Sequence, residues 1–68
     1  MTIPVTVNGT PTELAAGATV AVLVAQRSGG HDRVAVALNG DVVPRSRWTA
    51  TPLTPGDRLE VLAPTAGG

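Results

Sequence analysis

The chain begins with the stretch TIPVTVNG, residues 2–9, which decides how the fold starts. Apolar residues occupy every second position of this stretch, the period of a strand that buries one face. Asn8-Gly9 then favours a two-residue hairpin turn. The return arm, Thr10 to Leu14, carries Pro11, which cannot donate a ladder hydrogen bond. We therefore expect a hairpin whose second strand is the outermost strand of a sheet.

A single helix is predicted after this hairpin. Gly17 breaks the alternation, and the hydroxyl of Thr19 is suited to cap a helix N-terminus. From Val20 onward, apolar residues recur at the i, i+3 and i+4 spacing of an amphipathic helix. Arg27 would lie in the last turn, where a cation favours the helix dipole, and Ser28-Gly29-Gly30 would end the helix. The pattern predicts a helix of about ten residues.

A second hairpin follows the helix. Valine and leucine alternate with alanine over residues 34–38, and Asn39-Gly40 is another turn pair. The outgoing arm runs into Pro44, which ends strand pairing. Residues 45–48 are then predicted to form a short helical turn.

A last strand completes the order of elements. Leu53 is expected to fill a gap in the core, and Pro55-Gly56-Asp57 is typical of a tight turn. Leu59 and Val61 then alternate in a strand that leads into the end of the chain. This order predicts an α+β protein of the β-grasp, ubiquitin-like class, with one helix packed on one face of a mixed sheet of four to five strands. We expect the first and last strands to be parallel neighbours at the sheet centre.

The composition limits the classes of function. A chain of 68 residues gives one domain, which we assign to residues 1–62, followed by a flexible tail, residues 63–68. A domain of this size buries only about 60% of its unfolded surface, so we expect no enclosed substrate cavity and no self-contained enzyme. Zero cysteines and a single histidine, His31, argue against thiolate chemistry and metal binding.

Charge and hydropathy point to a cytoplasmic protein. The formal net charge is zero, and the arginines are dispersed, which argues against nucleic acid as a partner. The sequence also contains no apolar stretch of the roughly 20 residues that a membrane span requires.

The diglycine Gly67-Gly68 is the expected place of chemistry. A glycine carboxylate has no β-carbon beside it, so the strand can lie flat in a narrow channel and its carbonyl carbon is open to attack from either face.

Three segments in order carry a family resemblance: LNGDVVPRSRW at residues 38–48, PGDRLEV at residues 55–61, and Gly67-Gly68. Together they resemble the sulfur carrier proteins of thiamine biosynthesis, the ThiS family of ubiquitin-like proteins. The resemblance covers essentially the whole chain, because length, element order and terminal diglycine all agree.

The resemblance implies that Gly68 is the modified residue. An adenylating enzyme of the ubiquitin-activating type would activate its carboxylate with ATP, and a sulfur-delivering enzyme with a persulfide would displace AMP. The resulting thiocarboxylate would give its sulfur to thiazole synthase for the thiamine thiazole ring. Gly67 and Ala66 would thread into the partner sites. The chain would be a protein co-substrate that binds no cofactor itself, with ATP and magnesium used by the adenylating partner.

Other residues receive structural assignments. We expect Trp48 to fill the aliphatic core rather than to mark a docking surface. Arg45 and Arg47 are expected to be solvated in a turn, and His31 is assigned no role. The sheet face away from the helix, with the small residues Ala35 and Ala37, is the expected docking face.

Alternative functions remain open from the sequence. The small subunit of molybdopterin synthase shares the fold and diglycine, and a carrier dedicated to another metabolite would use the same chemistry. A ubiquitin-like modifier would end in an isopeptide bond on a target lysine, and a plain interaction module would have an inert tail.

Overall fold

The chain folds into one mixed β-sheet with a helix packed on one face. The computed structural model describes residues 1–28 and 34–62. The predicted tail, residues 63–68, and the loop that contains His31 lie outside these ranges. The elements of the described part are β1 (Thr2–Val7), β2 (Thr10–Ala15), α1 (Val20–Ser28), β3 (Ala35–Leu38), β4 (Asp41–Val43), a 3₁₀ helix (Arg45–Ala50) and β5 (Arg58–Leu62).

The strand order in the sheet is β2-β1-β5-β3-β4, so β5 lies at the centre. β1 and β5 run parallel, with Thr6 beside Arg58 and Val7 beside Leu59. The other neighbouring pairs are antiparallel. This arrangement confirms the α+β, β-grasp prediction, including the parallel central pair and the outermost position of the strand that carries Pro11.

Both hairpins turn at an asparagine followed by a glycine. Asn8 and Asn39 have φ values of 52° and 51°, and Gly9 and Gly40 have φ values of 80° and 90°. Positive φ at both central residues defines the type I′ turn, whose twist matches that of the flanking strands. The two predicted hairpins are therefore confirmed at the predicted positions.

α1 covers one face of the sheet through its apolar stripe. The Thr19 hydroxyl accepts a hydrogen bond from the Val22 N–H at 3.4 Å, in the position of the predicted cap. Neither α1, with nine residues, nor the 3₁₀ helix has the length and hydrophobicity of a bilayer-spanning helix. The buried core of the described residues consists of Ile3, Val5, Val7, Leu14, Ala18, Val20, Leu23, Val24, Val34, Val36, Trp48, Leu53 and Leu59.

Trp48 completes this core from the 3₁₀ helix. Only 7% of its surface is exposed, and its indole Nε1–H donates a hydrogen bond to the Val43 carbonyl at 3.1 Å. The bond satisfies the one polar group of the ring and so offsets the cost of removing that group from water. The prediction that Trp48 fills the core is confirmed.

The segment after the 3₁₀ helix pairs with the residues before α1, a contact that the sequence did not predict. The Val20 N–H donates to the Thr51 carbonyl at 3.0 Å, and the Leu53 N–H donates to the Ala18 carbonyl at 2.9 Å. The second bond ties Leu53 to the segment before α1, and its side chain is buried in the core as expected.

Candidate functional site

The candidate site is the carboxyl end of β5, because the predicted diglycine tail follows it in the sequence. Leu62 is the last residue of β5 and the last that the structure describes. The predicted site residues Ala66, Gly67 and Gly68 lie outside the described residues. The structure therefore shows the base of the tail, which we call the tail root and define as Val61 and Leu62.

The tail root is held on both sides. On one side it pairs with β3, where Ala35 lies beside Leu62 and Val36 beside Val61. On the other side β1 has already ended at Val7, and the side chain of Asn8 lies where the next residues of a neighbouring strand would be. The Asn8 Nδ2 donates to the Val61 carbonyl at 3.1 Å, and the Val61 N–H donates to Asn8 Oδ1 at 2.9 Å. An asparagine side chain thus extends the sheet beyond the end of β1.

The opposite end of β5 is held in a similar way by Asn39. Its backbone N–H donates to the Arg58 carbonyl at 2.7 Å, and the Arg58 N–H donates to Asn39 Oδ1 at 2.9 Å. Its Nδ2 also donates to Asp57 Oδ1 at 3.1 Å. The two turn asparagines therefore brace the same central strand, one at each end.

Asp57 organises the turn that starts β5. Its carboxylate accepts hydrogen bonds from the Thr54 backbone N–H at 2.8 Å and from the Thr54 hydroxyl at 3.0 Å. Partial burial opposes ionisation of this carboxyl, but the bonds from the Thr54 N–H, the Asn39 amide and the Thr54 hydroxyl outweigh it. Together they lower the pKa of Asp57 below its ordinary value. The hydrogen bonds of this turn therefore stabilise the charged form of Asp57.

The groups that contact the tail root are suited to holding it. Val36 and Ala35 offer aliphatic side chains and backbone pairing, and Asn8 offers a neutral amide. An amide donates and accepts hydrogen bonds and does not act as a base or nucleophile near neutral pH. These groups can hold Val61 and Leu62 through backbone pairing and amide hydrogen bonds.

The sheet face opposite α1 carries exposed and half-buried apolar residues around the tail root. We call the set Ala35, Ala37, Val42 and Leu62 the open-face patch. The cross-strand pairs Ala37–Val42 and Ala35–Leu62 place these side chains on the same face. Val42 is 76% exposed and Leu62 is 65% exposed. The predicted docking residues Ala35 and Ala37 thus lie beside larger exposed apolar side chains.

Polar groups adjoin this patch. A concavity of about 520 Å³ crosses β5, and Thr6, Gly9, Arg58 and Glu60 are among its lining residues. Arg58 and Glu60 are both exposed and lie on the same face as Leu62, four and two positions before it in the strand. The open face is therefore mixed, apolar near the tail root and charged toward the start of β5.

The remaining candidates lie elsewhere. Arg45 and Arg47 are exposed on the 3₁₀ helix, as predicted, and His31 lies outside the described residues. Sequence reasoning missed the role of Asn8 and Asn39 in bracing β5. Both asparagines precede a glycine, which predicts a hairpin turn. The Asn-Gly pair does not by itself indicate that the asparagine side chain bonds to another strand.

The comparisons with known proteins agree with this architecture. No curated protein matches the chain. The crystal structure of a thiamine biosynthesis protein (ThiS) from Geobacter metallireducens is similar, with 33% sequence identity and a TM-score of 0.80 over 97% of this chain and 100% of that one. The NMR solution structure of a thiamine biosynthesis protein from Geobacter metallireducens has 35% identity and a TM-score of 0.79, over 97% of this chain and 88% of that one.

A family model matches almost the entire sequence. The match extends over residues 5–68 and therefore includes β5, the tail root and the diglycine. Together with the two structures, this match confirms the resemblance on which the sequence analysis rested: the chain belongs to the ThiS family.

Proposed function

We propose that this protein is a sulfur carrier for thiamine biosynthesis whose Gly68 carboxylate becomes a thiocarboxylate. The observation that supports this proposal most strongly is that the tail root is the end of the central strand. The central strand β5 ends at Leu62, and the family match continues from it through residue 68, which supports a diglycine that follows a strand held on both sides.

The chemistry requires one activation step, followed by two steps that transfer sulfur. A Gly68 carboxylate oxygen attacks the α-phosphorus of ATP, which gives an acyl adenylate and releases pyrophosphate. The terminal sulfur of a persulfide then adds to the carbonyl carbon and AMP leaves, which gives an acyl disulfide. A thiol cleaves its S–S bond, leaving the thiocarboxylate and a new disulfide. Thiazole synthase would take the sulfur for the thiamine thiazole ring.

The protein would take part as a co-substrate rather than as an enzyme. A free carboxylate resists nucleophiles, so its activation needs a site that aligns ATP, magnesium and the terminus. The side chains at the tail root are aliphatic or amide groups, which do not supply such a site. We therefore assign adenylation to a partner of the ubiquitin-activating type and sulfur delivery to a second enzyme that carries a persulfide.

The length of the tail fits this division of work. Residues 63–68 extend at most about 20 Å, at roughly 3.3 to 3.6 Å per residue. This length allows the globular domain to dock on the surface of a partner while Gly67 and Ala66 pass through a channel toward a buried nucleotide. Glycine at the last two positions keeps the channel-bound segment narrow.

The open-face patch is the proposed docking surface for the adenylating partner. Leu62 belongs to both the patch and the tail root, so a partner that covers the patch is continuous with the point from which the tail departs. Large exposed apolar side chains on a small domain are typical of an interaction surface. The charged residues Arg58 and Glu60 would form its polar rim.

Substitution of Gly68 tests the proposed function. We expect Gly68→Val, or one residue added after Gly68, to abolish ATP–pyrophosphate exchange with the adenylating partner. A β-branched side chain, or a displaced carboxylate, would not fit a channel shaped for glycine. The fluorescence of Trp48, the single tryptophan and a buried one, should be unchanged and so report an intact fold. Undiminished exchange with either variant would refute the proposal.

A further inference from the structure

We infer that Asn8 is a positioning residue for the activation of Gly68, because its side chain fixes the tail root from which the diglycine extends. The inference rests on the proposed function and assigns to Asn8 a role in it beyond the formation of a turn.

β5 extends beyond its parallel neighbour. The Thr6 N–H donates to the Asp57 carbonyl and the Asn8 N–H donates to the Leu59 carbonyl, both at 2.9 Å. In a continuing parallel ladder the Asn8 carbonyl would accept the Val61 N–H. At Asn8, however, the chain adopts a φ of 52° and turns away into β2. Without a substitute, Val61 would have no partner on the β1 side.

The side chain of Asn8 is this substitute. A primary amide has the same donor and acceptor groups as a peptide bond, so it can bond both to the Val61 carbonyl and to the Val61 N–H. Val36 pairs with Val61 from the other side. The last residues before the tail therefore have sheet-like bonding on both edges, and their direction is set relative to the open-face patch.

This constraint matters for the reaction because the terminus must reach the nucleotide inside a partner. The domain would dock through the open-face patch, and the tail would leave from the tail root. With Asn8 in place, docking the domain also fixes the point from which residues 63–68 extend, and this narrows the region that the terminus has to search. Without it, the same docked complex would spend less time with the terminus aligned for attack on ATP, and alignment contributes directly to the rate.

Asn39 offers a matched control in the same chain. It has the same residue type, the same turn position and nearly the same φ, and its amide also braces β5, but at Arg58. Arg58 lies three residues before Val61, about 10 Å along the strand. Glycine at either position keeps the positive φ of the turn and removes only the amide. Asn8→Gly and Asn39→Gly should both lower stability, whereas only Asn8→Gly loosens the tail root.

The test measures ATP–pyrophosphate exchange by an adenylating enzyme from the same organism, at increasing concentrations of the full chain. It compares kcat and the KM for the chain between variants. We expect Asn8→Gly to lower kcat by about tenfold, with KM changed by less than about twofold. Asn39→Gly should keep kcat within about twofold of the wild type. Amide hydrogen exchange at Val61 should accelerate in Asn8→Gly alone. If Asn8→Gly does not fold, Asn8→Asp replaces it, because aspartate keeps the turn and the acceptor and loses the donor. Asn39→Gly stays the control, since Asn39→Asp would bring a second carboxylate against Asp57.

The outcomes separate the two proposals. If the wild-type chain supports no exchange, the proposed function fails. If the wild type is active and the kcat values of the Asn8 and Asn39 variants are equal, the positioning role of Asn8 is wrong. A change in KM alone for the Asn8 variant would also overturn it, since that result would mean weaker docking rather than poorer alignment.

Discussion

Two asparagine side chains, one near each end of the central strand β5, hold this strand in place. Asn8 bonds to Val61 and Asn39 bonds to Arg58 and Asp57, so one strand has amide braces near both of its ends. Asparagine suits this place because it tolerates positive φ and its amide both donates and accepts. An aspartate would keep the first property and lose the donor. The turn residues therefore shape the tail root as well as the hairpins.

The carboxylate of Asp57 predicts a pH dependence of stability. The pKa of Asp57 is lowered in the folded protein, so its ionised form stabilises the fold. This contribution is fully present above the unfolded value, about 3.9 for aspartate, and is lost as the pH falls through the lower folded pKa. Asp57→Asn should therefore lower the urea midpoint at pH 7, and the difference from the wild type should shrink below about pH 4.

Trp48 fluorescence during urea unfolding at both pH values measures this effect. Glu13→Gln is a suitable control, because Glu13 lies on the edge strand β2, away from this turn. A difference between Asp57→Asn and the wild type that stays constant from pH 7 to about pH 3 would contradict the assignment.

At the scale of elements, the alternation of residues and the two Asn-Gly pairs were sufficient to predict the strands, the hairpins and the helix. Hydrophobic period and turn chemistry are local properties, so a single sequence carries them. The bonds from Asn8 to Val61 were not predictable in this way, because they join residues 53 positions apart. The pairing of Thr51 with Val20 was not predictable from local patterns either, because it depends on how the 3₁₀ helix packs against α1.

The two faces of the molecule give a prediction about docking. Val42 on the open face and Val22 on α1 are both exposed valines, with exposed fractions of 76% and 41%. We expect Val42→Asp to raise the KM of the adenylating enzyme for this chain by about tenfold in ATP–pyrophosphate exchange, because a charge would be buried against the partner. Val22→Asp should leave KM unchanged. Equal effects of the two variants, or a larger effect at Val22, would place the docking surface elsewhere.

At the scale of the whole molecule, the described domain serves as a rigid support for its last strand. A core of small aliphatic side chains and one tryptophan holds α1 against the sheet. The sheet in turn holds β5 at its centre, between one parallel and one antiparallel neighbour. This arrangement gives the end of β5 at Leu62 a defined position in a very small domain. The boundary of the tail at residue 63 and the roles of Ala66, Gly67 and Gly68 stay predictions.

The central claim is that the Gly68 carboxylate carries sulfur, and the intact mass of the protein isolated from its own cells tests it most directly. The account predicts a species in which one sulfur replaces one oxygen, with fragment ions that place the change at Gly68. Fragmentation is needed because oxidation of Met1 or Trp48 gives nearly the same mass gain. A Gly68 carboxylate that is never modified, or one found only in isopeptide adducts with other proteins, would contradict the account.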